Sequence, residues 1–271
     1  MVSFDSHRVD ERGYTTSLKV GKQEILAKWG IEFSDGNGFF IHGKEGNAPM
    51  SLLSLSTNEK ETQGEMVVHL KTTDLRISMH EKFFPKKIVR EYVFIPSHDT
   101  FMQDISISQG FVKGIFSSMK IGSETITFTG KERNHQFNET KVILNGKEFD
   151  LRIEYESSHS GTGFSPMIYG RTSPKDGWVV HARLFPKVAS KKVIVWCNPL
   201  WNKKIPFSDI LVHIKPLVDY LWNIGELPER AHIRMGGLTA YGLAEVKKDI
   251  PISFTETITL IPKKIQAKKK K

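Results

Sequence analysis

Two histidines in this chain are each followed, two residues later, by an arginine. His181 and Arg183 lie in "GWVVHARLFP", and His232 and Arg234 lie in "AHIRMGGL". Both stretches read as β-strands, where side chains two apart project to one face. Trp178, Val180, Ala182 and Leu184 form the apolar alternation of the first, so His181 and Arg183 should share the opposite face. Ile233 and Met235 do the same for the second pair. An imidazole titrates near neutral pH and can carry a proton. A guanidinium can grip a carboxylate or phosphate through two parallel hydrogen bonds. If both polar faces line one hollow, the set suits proton transfer on a sugar, with arginine holding an acidic substituent.

Other residues could join such a site. "MIYGR" offers Tyr169 and Arg171 on one strand face, and in "KIVREYVFIP" Arg90 shares a face with Tyr92. "LRIEYESSH" puts Arg152, Glu154 and Glu156 together, either as an exposed charge ladder or with Glu154 as a base beside a sugar. Trp201, in the loop-like "CNPLWNKK", would make a stacking platform if exposed and a core residue if not. Glu256 interrupts the otherwise apolar face of "ISFTETITLIP" and needs a partner or a function there. The ten histidines and one cysteine form no metal-ligand spacing, and no glycine-rich phosphate loop is present. No metal or other cofactor is expected.

The elements that must carry these groups are mostly short strands separated by turn signals. "TTSLKVGKQEILAKWGIEF" predicts a hairpin turning at Gly21-Lys22, and Asn145-Gly146 is the strongest hairpin turn in the chain. "GEMVVHLKTTDLRISMHEKFFPKKIVREYVFIP" predicts three consecutive strands. The exception is "SDILVHIKPLVDYLWNIGEL", whose apolar residues recur at helical spacing around Pro216, predicting one or two short helices near 208–224. No linker composition and no repeat divides the chain. The expectation is an all-β protein, one large antiparallel β-sandwich over 1–262, followed by a basic tail over 263–271.

This order of strands, closing on "ETITLIP", resembles the galactose-mutarotase-like supersandwich, which hosts sugar epimerases, polysaccharide lyases and carbohydrate-binding domains. "RNHQFN" (133–138) resembles the Asn-His-aromatic segment of aldose 1-epimerases, departing from it at Gln136. The resemblance implies that His135 is a general acid toward a sugar ring oxygen. The family's C-terminal catalytic glutamate has no recognisable motif here.

Charge and composition narrow the partners. The net charge is +9, but the tail "KKIQAKKKK" alone carries six lysines and no acid, so the positive charge is concentrated there. A solvated tail is the plain reading, and no nucleic-acid partner is expected; a polyanion anchor is the alternative. No run of about 18 apolar residues exists to span a membrane. A lone cysteine and an N-terminus without an apolar signal segment point to the cytoplasm. The functional expectation is a sugar epimerase, mutarotase or lyase working by acid–base proton transfer, with a non-catalytic glycan-binding module as the alternative.

Overall fold

The computed structural model describes residues 2–35, 40–42, 49–70, 73–131, 133–137, 139–159, 162–174, 177–186 and 244–263. The segment expected to be helical, and with it Trp201, His232 and Arg234, lies outside the described residues, as does all of the basic tail beyond Lys263.

Everything regular among the described residues is β-strand, and every pairing between strands is antiparallel. A small sheet joins β1 (Phe4–Val9), β2 (Thr15–Val20) and β3 (Gln23–Glu24). The first large sheet draws on β4 (Leu26–Asp35) and β5 (Phe40–His42), and the second begins with β6 (Met50–Thr57), β7 (Glu61–His69), β8 (Asp74–Phe84) and β9 (Lys87–Pro96). Next come β10 (Thr100–Phe111), β11 (Phe116–Ile121), β12 (Glu124–Thr127), β13 (Arg133–Phe137), β14 (Lys141–Gly146) and β15 (Phe149–Ser158). The last are β16 (Phe164–Ser173), β17 (Gly177–Pro186), β18 (Ala244–Val246) and β19 (Ile252–Pro262).

The seven-stranded sheet runs β13-β16-β17-β10-β4-β5, with β18 paired to β10. The nine-stranded sheet runs β12-β11-β14-β15-β19-β9-β8-β7-β6. Their inner faces interdigitate in one core. Phe94 lies edge-on to Phe33 of the other sheet at 5.6 Å and to Phe254 at 5.8 Å. No helix long and apolar enough to cross a membrane occurs among the described residues.

Turn chemistry holds with one correction. Gly21 takes positive φ (59°) at the tip between β2 and β3, a conformation that costs glycine nothing. The hairpin expected at Asn145-Gly146 exists, but its tip is Lys147-Glu148, and Asn145 pairs with Asp150. Gly146 serves close approach instead: a Cβ there would sit 2.4 Å from the Phe149 carbonyl oxygen.

Strand alternation also explains Glu256. Arg90 and Glu256 are register partners on β9 and β19, and Glu81 faces Arg90 from β8. All three are fully buried. Arg90 Nη1 donates to Glu256 Oε2 (3.2 Å) and to Gln109 Oε1 (3.1 Å), and its Nε lies 3.2 Å from Glu81 Oε1. Gln109 and Trp29 come from the seven-stranded sheet, and the guanidinium stands 4.9 Å over the Trp29 ring. Tyr92 and Thr15 donate to Glu81 (2.6 and 3.1 Å), and Gln109 donates to Glu256 (2.6 Å). The carboxylate that looked misplaced in the sequence is one part of an ionic girder between the sheets.

Candidate functional site

The polar residues gather on the other side of the seven-stranded sheet, the side turned away from the core. Residues paired in register on neighbouring strands share a face. Ser108 of β10 pairs with His181 of β17 and with Gly30 of β4, and His181 pairs with Tyr169 of β16. One row along, Ser106 pairs with Glu32 on one side and Arg183 on the other. Asp104 lies two residues further along β10. Trp178, Val180, Ala182 and Leu184 belong to the core, so His181 and Arg183 project oppositely, as their spacing predicts.

His181 sits between two oxygens. Its Nδ1 lies 3.4 Å from Glu32 Oε2 and its Nε2 lies 3.4 Å from Ser108 Oγ. The Tyr169 ring meets the imidazole edge-on, with centroids 4.9 Å apart, which fixes the plane of the ring. The His181 side chain is 12% exposed and Glu32 is 8% exposed, so their contact is largely shielded from water.

Arg183 is held differently. Its Nε and Nη2 grip Asp104 in a two-pronged pair at 3.2 and 2.5 Å, with both side chains buried. The guanidinium packs over Phe185 (4.5 Å) and Tyr169 (5.6 Å). From below, Tyr155 of the nine-stranded sheet donates to the carbonyls of Met167 (2.6 Å) and Arg183 (2.9 Å), pinning β16 and β17 beneath the site.

Two of the donors on this face lack a hydrogen-bond partner among the described residues. Arg183 Nη1 and Ser106 Oγ are buried and make no hydrogen bond among the described residues. Leaving such groups unmet costs about 1–3 kcal/mol each. Register places their residues side by side. The described part of the site therefore offers an acid–base pair, His181 with Glu32, next to two N–H/O–H donors waiting for an acceptor oxygen.

Two pairs of charged groups face each other here. Asp104 neutralises Arg183, and Glu32 opposes His181 when the imidazole is protonated. The sequence expectation of a cation free to hold a sugar carboxylate is not met by Arg183.

Of the remaining predicted residues, one joins this face and the others lie elsewhere. Arg171 shares the face of Tyr169, two residues along β16. His135 pairs with Gly170 and lies two residues from Phe137, which packs on the core. It therefore projects from the side facing the other sheet, its ring 6.4 Å from that of Phe137 and away from His181. Arg90 is buried in the girder between the sheets. Glu154 is on the outer side of the nine-stranded sheet, beside Arg152 (3.4 Å) and Lys141 (3.8 Å), which is the exposed charge ladder. Nothing brings Glu154, Arg90 or His135 to the His181 face. Among the described residues no group of histidines, cysteines and carboxylates could hold a metal ion.

Glu32, Asp104, Ser106 and Ser108 were not anticipated. A signal existed for three of them: in "DISIS", polar residues alternate strictly with Ile105 and Ile107.

No family model and no curated protein matches the sequence. Solved structures do match over nearly the whole chain. A candidate aldose 1-epimerase from Escherichia coli K12 superimposes with a TM-score of 0.56 at 8% identity, covering 97% of this chain and 99% of that one. Slr1438 from Synechocystis sp. PCC 6803 gives 0.54 at 9% identity, covering 97% and 96%. A galactose mutarotase related enzyme from Lactobacillus acidophilus gives 0.51 at 9% identity, covering 99% and 100%. The chain has the galactose-mutarotase-like fold. At such identities the likeness carries the architecture and assigns no role to any residue.

Proposed function

We propose that this protein binds a neutral sugar on the His181 face of the seven-stranded sheet and moves protons on it, as a mutarotase or epimerase. The observation that carries this reading is the conjunction of the His181–Glu32 pair with the unpartnered donors Arg183 Nη1 and Ser106 Oγ. Two similar folds come from proteins described as a candidate aldose 1-epimerase and a galactose mutarotase related enzyme, which supports a carbohydrate substrate.

In this reading Arg183 and Ser106 receive sugar oxygens and so set the ring against His181. Interconversion of anomers needs an acid at the ring oxygen and a base at the anomeric hydroxyl. With His181 protonated and Glu32 ionised, the pair holds an acid and a base side by side. Glu32 takes the proton from the anomeric hydroxyl while His181 gives one to the ring oxygen. The C1–O5 bond breaks, an open-chain aldehyde forms, rotation about C1–C2 presents its other face, and the reverse transfers close the ring. No proton is gained or lost overall. Tyr169 orients the imidazole, and Asp104 keeps Arg183 aimed.

Neutral substrates are favoured because Asp104 already takes the charge of Arg183. A phosphate or uronate brought here would meet Asp104 and Glu32 with Arg183 spoken for, a desolvated like-charge contact. The test is the interconversion rate of α and β anomers, followed by polarimetry and exchange NMR, for neutral aldoses, their 6-phosphates and uronic acids. The proposal expects acceleration for a neutral aldose and a loss of about 100-fold or more in His181→Gln. Acceleration equal in His181→Gln and wild type, or confined to charged sugars, contradicts it.

A further inference from the structure

A concave site lies apart from the His181 face. It is a cleft of about 690 Å³ where β1 meets the β6–β7 turn and the β8–β9 turn, and no residue of the seven-stranded sheet lines it. Volumes of this size take drug-sized ligands. Its frame is fixed by backbone hydrogen bonds from Phe4 N–H to the Pro85 carbonyl (2.7 Å) and from Phe83 N–H to the Lys60 carbonyl (2.8 Å). The Asn58 side chain braces the rim by accepting from the N–H groups of Lys60 and Glu61.

Its lining combines aromatic and polar side chains. Phe4, Phe83 and Phe84 supply apolar surface, and Phe84 is 48% exposed, which is unusual for a side chain of that size. The His7 ring lies flat on Phe83, with centroids 3.5 Å apart and planes 10° apart. Burial lowers the imidazole below its ordinary range, so at neutral pH it is uncharged and offers one donor and one acceptor nitrogen. No hydrogen bond or ion pair among the described residues uses the side chains of His7, Glu59 or Lys60. Asp5, by contrast, is engaged by Ser3 and the Gly21 N–H. The groups left open are thus a neutral imidazole, one carboxylate and one ammonium.

We propose that this cleft binds a pyranose ring of a neutral oligosaccharide. A pyranose has an apolar C–H face and a rim of hydroxyls that both donate and accept. The first fits against Phe84 and Phe4, and the second meets His7, Glu59 and Lys60. A cation would face Lys60 and an anion would face Glu59, while a neutral polyol satisfies both. The site binds without catalysis, holding a glycan on a surface remote from the His181 face, and it does not depend on the activity proposed for that face.

The test is a titration of the ¹⁵N-labelled full-length protein with maltotriose and with cellotriose, followed through backbone amide shifts. Binding to the cleft moves amides of Phe4–Val9, Asn58–Lys60 and Phe83–Phe84. Phe84→Ala weakens that response about five-fold or more, Phe84→Trp keeps it, and His181→Gln leaves it unchanged. If neither sugar shifts those amides, or if Phe84→Ala binds as the wild type does, the proposal is overturned. Loss of anomer interconversion in His181→Gln with the cleft response intact separates the fate of the two sites.

Discussion

Replacing Arg90 with leucine should be among the most damaging single changes in this protein. Arg90 is fully buried with Glu81 and Glu256, both also fully buried, and it is the cation they share. Removing it leaves two carboxyl groups in a dry core with only Gln109, Tyr92 and Thr15 as donors among the described residues. Breaking one side of a buried ion pair costs about 3–5 kcal/mol. At about 2–4 °C of midpoint per kcal/mol for a chain of this size, Arg90→Leu should melt roughly 6–20 °C lower. A second variant isolates the charge. Burial, only partly offset by Arg90, holds the Glu256 carboxyl above its ordinary range. The native state therefore keeps a proton that the unfolded chain has already released, and stability falls as pH rises from the unfolded carboxyl range through the raised native one. Glu256→Gln mimics the protonated form, so it should cost only about 1 kcal/mol near pH 5 and compare better with wild type at pH 8. Urea melts of the three proteins at pH 5 and pH 8 make the comparison. Equal midpoints for Arg90→Leu and wild type, or a Glu256→Gln difference that grows in the opposite direction with pH, would refute the girder argument.

Other consequences are simpler. Tyr155→Phe removes two buried hydrogen bonds to the carbonyls under the site; it should destabilise by about 1–3 kcal/mol in denaturant melts and raise KM for a neutral aldose. Asp104→Asn frees the charge of Arg183, so in calorimetric titrations the variant should gain affinity for a sugar 6-phosphate relative to the neutral sugar. Glu154→Ala, on the outer charge ladder, should change stability by no more than about 0.5 kcal/mol and leave interconversion rates unaltered.

How far the sequence foretold this depends on which contacts are local. The faces of β17 were legible because Trp178, Val180, Ala182 and Leu184 alternate without a break. Glu256 was legible as an anomaly, but its answer required knowing that β19 pairs with β9, from the far side of the chain. The partners of His181 and Arg183 were hidden for the same reason. β4, β10 and β17 are neighbours in space and far apart in sequence, so no local pattern could bring Glu32 and Asp104 to them. The short motif around His135 gave no sign that its strand turns that residue toward the core side. The histidine–arginine pair at 232–234 lies outside the described residues, so its convergence with His181 stands as a proposal.

The most direct measurement is a crystal structure of the protein with a neutral aldose bound. The account predicts a sugar oxygen within hydrogen-bond distance of Arg183 Nη1 and Ser106 Oγ, with the ring oxygen facing His181. Sugar bound only elsewhere, or Arg183 Nη1 and Ser106 Oγ still unpartnered in the saturated complex, would contradict it.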